Sequence, residues 1–161
     1  MKRVLLGLLF LVVALIAVRQ VVFLLASDET KIAWLIEGME EGFNDAHAGR
    51  AVEGLANDWG HAGSPIDRSS LQAALFQEFR SFGQSKKGRE TYRVTVIEDS
   101  LEITVDGDRA SIACEAEFAR QHEEEWSPVW RIRIDAKLED GEDGWRFTSS
   151  SHEDLVGWGL R

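Results

Sequence analysis

The spacing of hydrophobic positions changes along this chain, and the first stretch is continuously apolar. Residues 4–18 are all apolar or Gly, and after a two-residue interruption a second apolar run ends at Ala26. A helix that spans a membrane needs about 20 such residues. Because Lys2 and Arg3 precede the run and acidic residues follow it, the charge distribution predicts a single-pass membrane protein whose N-terminus is cytoplasmic.

A cleaved signal peptide is the alternative interpretation of the same residues. The basic start and the apolar centre fit both kinds of segment, but a cleavage site requires small residues. The best candidate site, residues 24–26, reads Leu-Leu-Ala and has a large residue at its first position. We therefore expect residues 1–27 to form an N-terminal membrane anchor. Residues 28–161 are then one extracytoplasmic domain, which is periplasmic if the chain is bacterial.

After residue 30 the apolar residues recur every three or four positions, which predicts three amphipathic helices. Gly49 and Gly83 are the predicted ends of the first and third helices, and residues 69–72 fit a capping box at the start of the third. The second helix is shorter and is expected to close near Gly60. The apolar faces are Ile32, Leu35, Ile36, Met39, Phe43 and Ala46 in the first helix, Val52, Leu55 and Trp59 in the second, and Leu71, Ala74, Leu75, Phe79 and Phe82 in the third.

After residue 90 the period changes to two, which predicts five strands. The Asp-Gly pair at residues 106–107 is a hairpin signal, and the residues from His152 onward are expected to form a short tail. The inner strand faces are predicted to carry Tyr92, Val94 and Val96, then Leu101, Ile103 and Val105, then Ala110, Ile112, Cys114, Ala116 and Phe118, then Pro128, Trp130, Ile132, Ile134, Ala136 and Leu138, and finally Trp145 and Phe147.

The outer faces of two neighbouring predicted strands carry opposite charges. Glu115 and Glu117 on one strand are expected to oppose Arg131 and Arg133 on the next. Such cross-strand pairs contribute about 0.2–1 kcal/mol each. A solvated sheet face explains the pattern most simply, and a homodimer or partner surface on the same face is the alternative.

The order of helices and then strands predicts an α+β layer fold. Over residues 31–154 the chain resembles the nuclear transport factor two-like superfamily, which includes the SnoaL-like proteins and ketosteroid isomerase. The segments that carry the resemblance are GFNDAHAGR, LANDW, LEITVDGDRASI and DGWRFTSSSHE. It implies three helices packed on the concave face of a curved, mixed or antiparallel sheet, with a pocket between them. It also implies that two copies could pair through the sheet face.

Composition narrows the classes of function. The 161 residues carry a formal net charge of −10. With Lys2, Arg3 and Arg19 set aside, the chain beyond residue 27 has 15 basic and 28 acidic residues and a net charge of −13. Binding to nucleic acid needs clustered Lys and Arg, so no nucleic-acid partner is expected. One Cys excludes an internal disulfide and any multi-Cys zinc site, and four scattered His predict no metal. No phosphate-binding Gly-rich motif appears, and no cofactor is expected.

His61 is the best catalytic candidate, because enzymes of the resembled fold often place an acid–base residue after the second helix. Asp58 could orient its imidazole, and a His suits proton transfer near neutral pH. The alternative is an exposed His in a loop. The resemblance to ketosteroid isomerase fails at the catalytic residues, since the one Tyr is Tyr92 on a predicted strand. No Asp is predicted on the inner face of the central strand.

The other chemically capable residues have simpler interpretations. His47 is expected to cap a helix end, and His122 to lie in a solvated hairpin connection. Residues 149–154 read SSSHED, but adjacent residues on a strand alternate faces and so do not make a Ser-His-Asp triad by themselves. Cys114 is predicted to be a buried, inert thiol.

Two functions fit these patterns. Aromatic residues of the predicted inner faces could line a cavity for an apolar ligand or could simply fill the core; they are Trp34, Phe43, Trp59, Phe118, Trp130, Trp145 and Phe147. Because the alternation places mainly apolar groups inside, we expect a non-catalytic, membrane-tethered domain that binds a ligand or a protein, with no catalytic residue assigned. The alternative is a SnoaL-like isomerase, dehydratase or hydrolase that acts on a hydrophobic small molecule with His61 as its base.

Overall fold

The computed structural model describes residues 22, 25–84, 91–122 and 125–156. In chain order the elements are helix α1 (Asp28–Asn44), helix α2 (Ala48–Ala51), strand β1 (Leu55–His61), helix α3 (Arg68–Gln84), strand β2 (Thr91–Val96), a 3-10 turn (Glu98–Ser100), and strands β3 (Glu102–Asp106), β4 (Arg109–His122), β5 (Glu125–Gly141) and β6 (Gly144–Val156).

One sheet contains all six strands of the described residues. The order across it is β1-β6-β5-β4-β2, and β3 pairs with β4 beside β2. β1 runs parallel to β6, and every other pairing is antiparallel. Irregular registers within β4–β5 and β5–β6 bend the long strands. Within the described residues the fold is thus α+β, with three helices and a curved mixed sheet, as predicted, but β1 precedes α3 and so interrupts the predicted order of helices and then strands.

The predicted second helix is wrong in its position and partly in its type. Only residues 48–51 are helical, and Leu55 and Trp59 lie on β1. Both side chains are buried in the core. Positions four apart share a face in a helix and also in a strand, so the apolar pattern could not distinguish the two. The pairing of β1 with β6, in which Leu55 lies opposite Phe147, makes this segment a strand.

Helix α1 begins and ends at identifiable contacts. The Ser27 side chain accepts the Thr30 backbone N–H at its start. The helix ends at Asn44, five residues before the predicted Gly49. At Gly42, an added Cβ would lie 2.5 Å from the backbone nitrogen of Ala51. A glycine at this position therefore lets α2 pack directly against the end of α1.

The start of α3 lies slightly earlier than the predicted capping box. Asp67 Oδ1 accepts the backbone N–H of Ser70 at 2.7 Å and the hydroxyl of Ser69 at 2.8 Å. These hydrogen bonds, that from the Ser70 backbone first, lower the pKa of Asp67 to about 2. The residue that caps the helix is therefore an ionised Asp, which also meets the positive end of the helix dipole.

The main core lies between the helices and the concave face of the sheet. Cys114 belongs to it, as predicted, and burial, with a smaller contribution from Asp135, raises the pKa of its thiol to about 11. This thiol is therefore protonated and unreactive at neutral pH. The buried members of the cluster are Ile32, Val52, Leu55, Trp59, Ala110, Ile112, Cys114, Ala136, Leu138, Trp145 and Phe147.

The outer face of the sheet carries the predicted charge pairs. Glu115 lies opposite Arg133 and Glu117 opposite Arg131, and the shortest ion pair joins Arg131 Nη2 to Glu115 Oε2 at 2.6 Å along the diagonal. These cross-strand ion pairs explain the pattern of opposite charges as that of a solvated sheet face. A homodimer through the same face stays a prediction.

The predicted localisation needs correction. Within the described ranges, no helix has the length and apolar character needed to cross a bilayer. This finding contradicts the prediction of a single-pass membrane protein with an extracytoplasmic domain. Most of the apolar run on which that prediction rested, residues 4–26, lies outside the described residues, which include only 22, 25 and 26 of it.

Candidate functional site

Strand β6 contains a one-residue irregularity that changes the direction of its side chains. Phe147 lies opposite Leu138 on β5, whereas Ser149 lies opposite Lys137. Two residues of β6 therefore advance against one residue of β5, which makes Thr148 the extra residue of a β-bulge. After a bulge of this kind, each side chain points to the face opposite to the one that simple alternation predicts.

The bulge brings polar side chains onto the concave face. Beyond it, Ser150 lies opposite Ala136 and His152 lies opposite Ile134. Asp154 follows opposite Ile132, which is buried. Because directly opposed residues of antiparallel strands share a face, Ser150, His152 and Asp154 all lie on the helix side of the sheet. The expectation of a mainly apolar interior is wrong at this end.

Strand β1 places His61 beside Ser150 and His152 of β6. Its Nδ1 lies 3.1 Å from Ser150 Oγ, and its Nε2 lies 3.0 Å from His152 Nδ1. Parallel pairing explains the contact, since His61 is the register partner of Ser150. The candidate base predicted from the sequence is thus held by two side chains, one on each ring nitrogen.

A carboxylate ends this series of contacts. Asp154 Oδ1 lies 3.9 Å from His152 Nε2, which is an ion-pair distance when His152 is protonated. The same oxygen accepts a hydrogen bond from the Trp130 indole N–H at 2.9 Å. We call Ser150, His61, His152 and Asp154 the histidine relay. Trp130 fixes the position of its acidic end.

Aromatic rings flank the histidine relay and connect it to the helices. The Trp130 ring centroid lies 5.8 Å from that of His152 and 4.9 Å from that of Phe118. Phe118 is in edge contact with Phe43 of α1 at 5.8 Å. On the other side, the Trp59 ring lies 6.2 Å from His61. Four of the seven predicted lining residues therefore adjoin the site, while Trp145 and Phe147 belong to the buried core.

The electrostatic environment favours a neutral His61. Burial, and then the charge of a protonated His152, lowers the pKa of His61 from its usual 6.5. The imidazole is consequently unprotonated at neutral pH, which is the state that a general base requires. Solvent still reaches the acidic end of the relay, because the side chains of His152 and Asp154 are 38% and 58% exposed.

Two other residues considered from the sequence, Asp58 and His47, do not join His61 in the histidine relay. Asp58 is exposed, and the described hydrogen-bond partners of His61 are Ser150 and His152. His47 caps a helix, but at the start of α2 and not at the end of the first helix where it was expected: its Nδ1 accepts the Arg50 backbone N–H at 3.1 Å. The side chain of His122 lies outside the described residues. Over the part of the chain that is described, no three His, Cys, Asp or Glu side chains are grouped closely enough to hold a metal ion.

The sequence contains a signal for this site in the run SSSHED, but the site residues alternate there with other polar residues, so their common face was not recognised. Ser150, His152 and Asp154 are spaced two residues apart, so a strand places them on one face. The spacing of these polar residues therefore already matched the two-residue period of a strand. Only the phase set by Trp145 and Phe147 pointed them outward, and the bulge at Thr148 reverses that phase.

Comparisons with known proteins identify the fold. No protein-family model matches the chain, and no curated protein matches its sequence. An NTF2-like protein with a cystatin-like fold from Novosphingobium aromaticivorans superposes with a TM-score of 0.66 at 17% identity, covering 89% of this chain and 90% of that protein. NTF2-like means nuclear transport factor two-like.

Two further neighbours have named activities. A proposed dehydratase of the NTF2-like family from Streptomyces avermitilis has a TM-score of 0.59 at 10% identity, over 81% of this chain and 97% of its own. The β subunit of benzoate 1,2-dioxygenase from Burkholderia mallei has a TM-score of 0.62 at 11% identity, over 80% and 93%. Identities this low show the fold alone, and that fold is NTF2-like.

Proposed function

We propose that this chain is an enzyme that binds a hydrophobic, aromatic small molecule on the concave side of its sheet and uses His61 as a general base. The observation that carries the proposal is the histidine relay on that face, with His61 Nδ1 and Nε2 each 3.0–3.1 Å from a polar side chain. A non-catalytic domain was expected because polar groups were not predicted inside. The relay removes that reason.

The protonation state of His61 supports the role of base. A general base works best when its pKa lies near or below the working pH, so that the neutral form is abundant. Burial lowers the pKa of His61, and His152 acts in the same direction. The contact of His61 Nε2 with His152 also fixes the orientation of the ring. An oriented, neutral imidazole is the form that takes a proton at neutral pH.

The surroundings of the relay support the class of substrate. Trp130, Phe118 and Trp59 place aromatic surface on two sides of the two His rings. Aromatic side chains bind planar apolar molecules through stacked and edge contacts. The neighbours named as a dehydratase and a dioxygenase β subunit indicate that this fold occurs among enzymes of small molecules, although fold alone does not assign an activity.

A nitrobenzisoxazole tests the base without knowledge of the natural substrate. A base removes the proton on its ring carbon while the N–O bond breaks, and the product is a coloured cyanonitrophenolate. We expect the chain to accelerate this reaction and His61→Gln to lower the rate by about 100-fold, within the usual range for loss of a general base. His47→Asn is the matched control, because it replaces a His that caps α2 with another good cap. Equal rates for the parent chain and His61→Gln would contradict the proposal.

A further inference from the structure

We propose that Ser150 is a nucleophile activated by His61, and that the reaction of this site is acyl transfer from aryl esters, followed by hydrolysis. The inference rests on the proposed function, because it specifies that the proton removed by His61 comes from the Ser150 hydroxyl. Its geometric basis is the distance of 3.1 Å between Ser150 Oγ and His61 Nδ1. A nucleophile within hydrogen-bond reach of a base, which a third group orients, is the general pattern of covalent catalysis.

The protons of the relay can all point toward its acidic end. When Ser150 donates its hydroxyl proton to His61 Nδ1, a neutral His61 carries its own proton on Nε2 and donates it to His152 Nδ1. A neutral His152 then carries its proton on Nε2, which faces Asp154 Oδ1 at 3.9 Å. His152 is therefore a positioning residue, and the carboxylate of Asp154 favours the positive charge that reaches the two imidazoles when the proton transfers.

The neighbouring serines provide an internal comparison. Ser149 and Ser151 lie opposite Lys137 and Asp135, which belong to the outer, charged face of the sheet. Ser150 alone of the three serines shares the concave face with His61. These three identical side chains thus differ in the face on which the bulge places them, and only Ser150 lies where His61 can activate it.

Acyl transfer and hydrolysis form the two halves of the reaction, and His61 is the base in each. Ser150 Oγ attacks the ester carbonyl carbon while its proton passes to His61 Nδ1, and the tetrahedral adduct expels the aryl oxide. The products are an acyl ester on Ser150, the aryl oxide and protonated His61, which returns its proton to the leaving group or to water. In the second half, water attacks the acyl carbon while its proton passes to His61, and His61 then protonates Ser150 Oγ as the acyl–Oγ bond breaks and the free acid leaves.

The aromatic surroundings favour an ester whose leaving group is an aryl oxide. Trp130 and Phe118 form a ring pair with centroids 4.9 Å apart, directly beside His152. An aryl group can pack on this surface. An aryl oxide is also a weak base, so it can leave without first being protonated. A neutral ester is also the better match for a chain with a net charge of −10.

The experiment uses the full chain with p-nitrophenyl acetate, followed by acid quenching and mass spectrometry. We expect one acetyl group on the tryptic peptide 147–161, assigned by fragmentation to Ser150. Ser150→Ala should abolish the adduct and lower nitrophenolate release by about 100-fold, while Ser151→Ala should retain both. Ser150→Cys should acetylate at the same position, because a thiol is also a nucleophile that His61 can activate. Circular dichroism of each variant checks that it is folded.

The outcomes separate this inference from the proposed function. Acetylation of Ser149, Ser151 or His61 itself, or nitrophenolate release that survives Ser150→Ala, overturns the nucleophile. If His61-dependent turnover of the nitrobenzisoxazole is present while Ser150 stays unmodified, only the present inference fails. If His61→Gln changes neither reaction, both proposals fail.

A third readout tests the positioning role of His152. His152→Asn removes the imidazole beside His61 and keeps a side-chain acceptor for His61 Nε2–H. Since a protonated His152 lowers the pKa of His61, the pH midpoint of nitrophenolate release should move upward. A residue with only a structural role would change the amount of folded enzyme and leave that midpoint in place.

Discussion

The two halves of strand β6 place opposite chemistry on the same side of the sheet. In the first half, Trp145 and Phe147 are 4% and 6% exposed and complete the apolar core. In the second half, Ser150 and His152 contact His61, Asp154 lies beside His152, and this end of the site remains partly open to solvent. The two halves are separated by Thr148 and its bulge. One extra residue therefore divides a strand into a stabilising part and a chemically capable part.

This difference indicates how the fold accommodates a polar site without a large cost in stability. Buried polar groups must find partners, or their desolvation destabilises the protein by about 1–3 kcal/mol each. The relay residues have hydrogen-bond or ion-pair partners within the site, and its exposed end is hydrated. The core half contains apolar side chains packed among the helices. We therefore expect substitutions in the first half to change stability, and substitutions in the second half to change chemistry.

The largest effect should come from the core half. Phe147→Ala removes a buried aromatic ring and leaves a cavity, which typically lowers the free energy of unfolding by about 3–5 kcal/mol. Urea unfolding followed by tryptophan fluorescence measures this change. Leu155→Ala is the control, because that residue is 43% exposed on the same strand, and surface changes are usually within about 0.5 kcal/mol. Equal losses for the two variants would remove the distinction between the halves.

Deletion of Thr148 should have the next largest effect, and it acts on chemistry. Without the extra residue, regular alternation places Ser149 and Ser151 on the concave face and turns Ser150 and His152 outward. His61 then loses the side-chain contacts made by Ser150 and His152. We expect turnover of the nitrobenzisoxazole and of p-nitrophenyl acetate to fall by about 100-fold, equivalent to about 2.7 kcal/mol of activation free energy.

The control for this deletion keeps the bulge and changes the residue in it. Thr148→Ser retains the length of β6 and should keep turnover within about twofold, since a conservative change at a half-buried position outside the relay is usually close to neutral. Activity that survives the deletion unchanged would show that the register of β6 does not organise the site.

The sequence predicted the elements of this fold better than the faces of its strands. Period-two alternation located β2 to β5 and the start of β6, because each of these segments has one apolar face. It could not reveal β1, since Leu55 and Trp59 fit both a helix and a strand. It also could not place the relay, because a bulge depends on pairing with β5 and not on local preference. His61 was found from its chemistry, whereas Ser150 and His152 required the register.

The smallest expected effect is a dependence of stability on pH that comes from His61, which is held by the second half of β6. The folded state holds the pKa of His61 below its usual 6.5, while the unfolded chain has the usual value. Between these two values the unfolded state binds more protons than the folded state, so the free energy of unfolding falls as pH falls below about 6.5 and is unaffected by His61 above it. His61 is only partly buried, and solvent screening keeps the slope shallow.

His61→Gln should therefore show a flatter fall of the urea midpoint between about pH 7 and pH 5 than the parent chain does. His47→Asn should keep the parent slope, because it changes a His outside the relay. Phe147→Ala should lower the midpoint at every pH without changing the slope, since burial of an apolar ring involves no proton. A parent slope that is retained in His61→Gln would mean that the two halves of β6 do not differ in this respect.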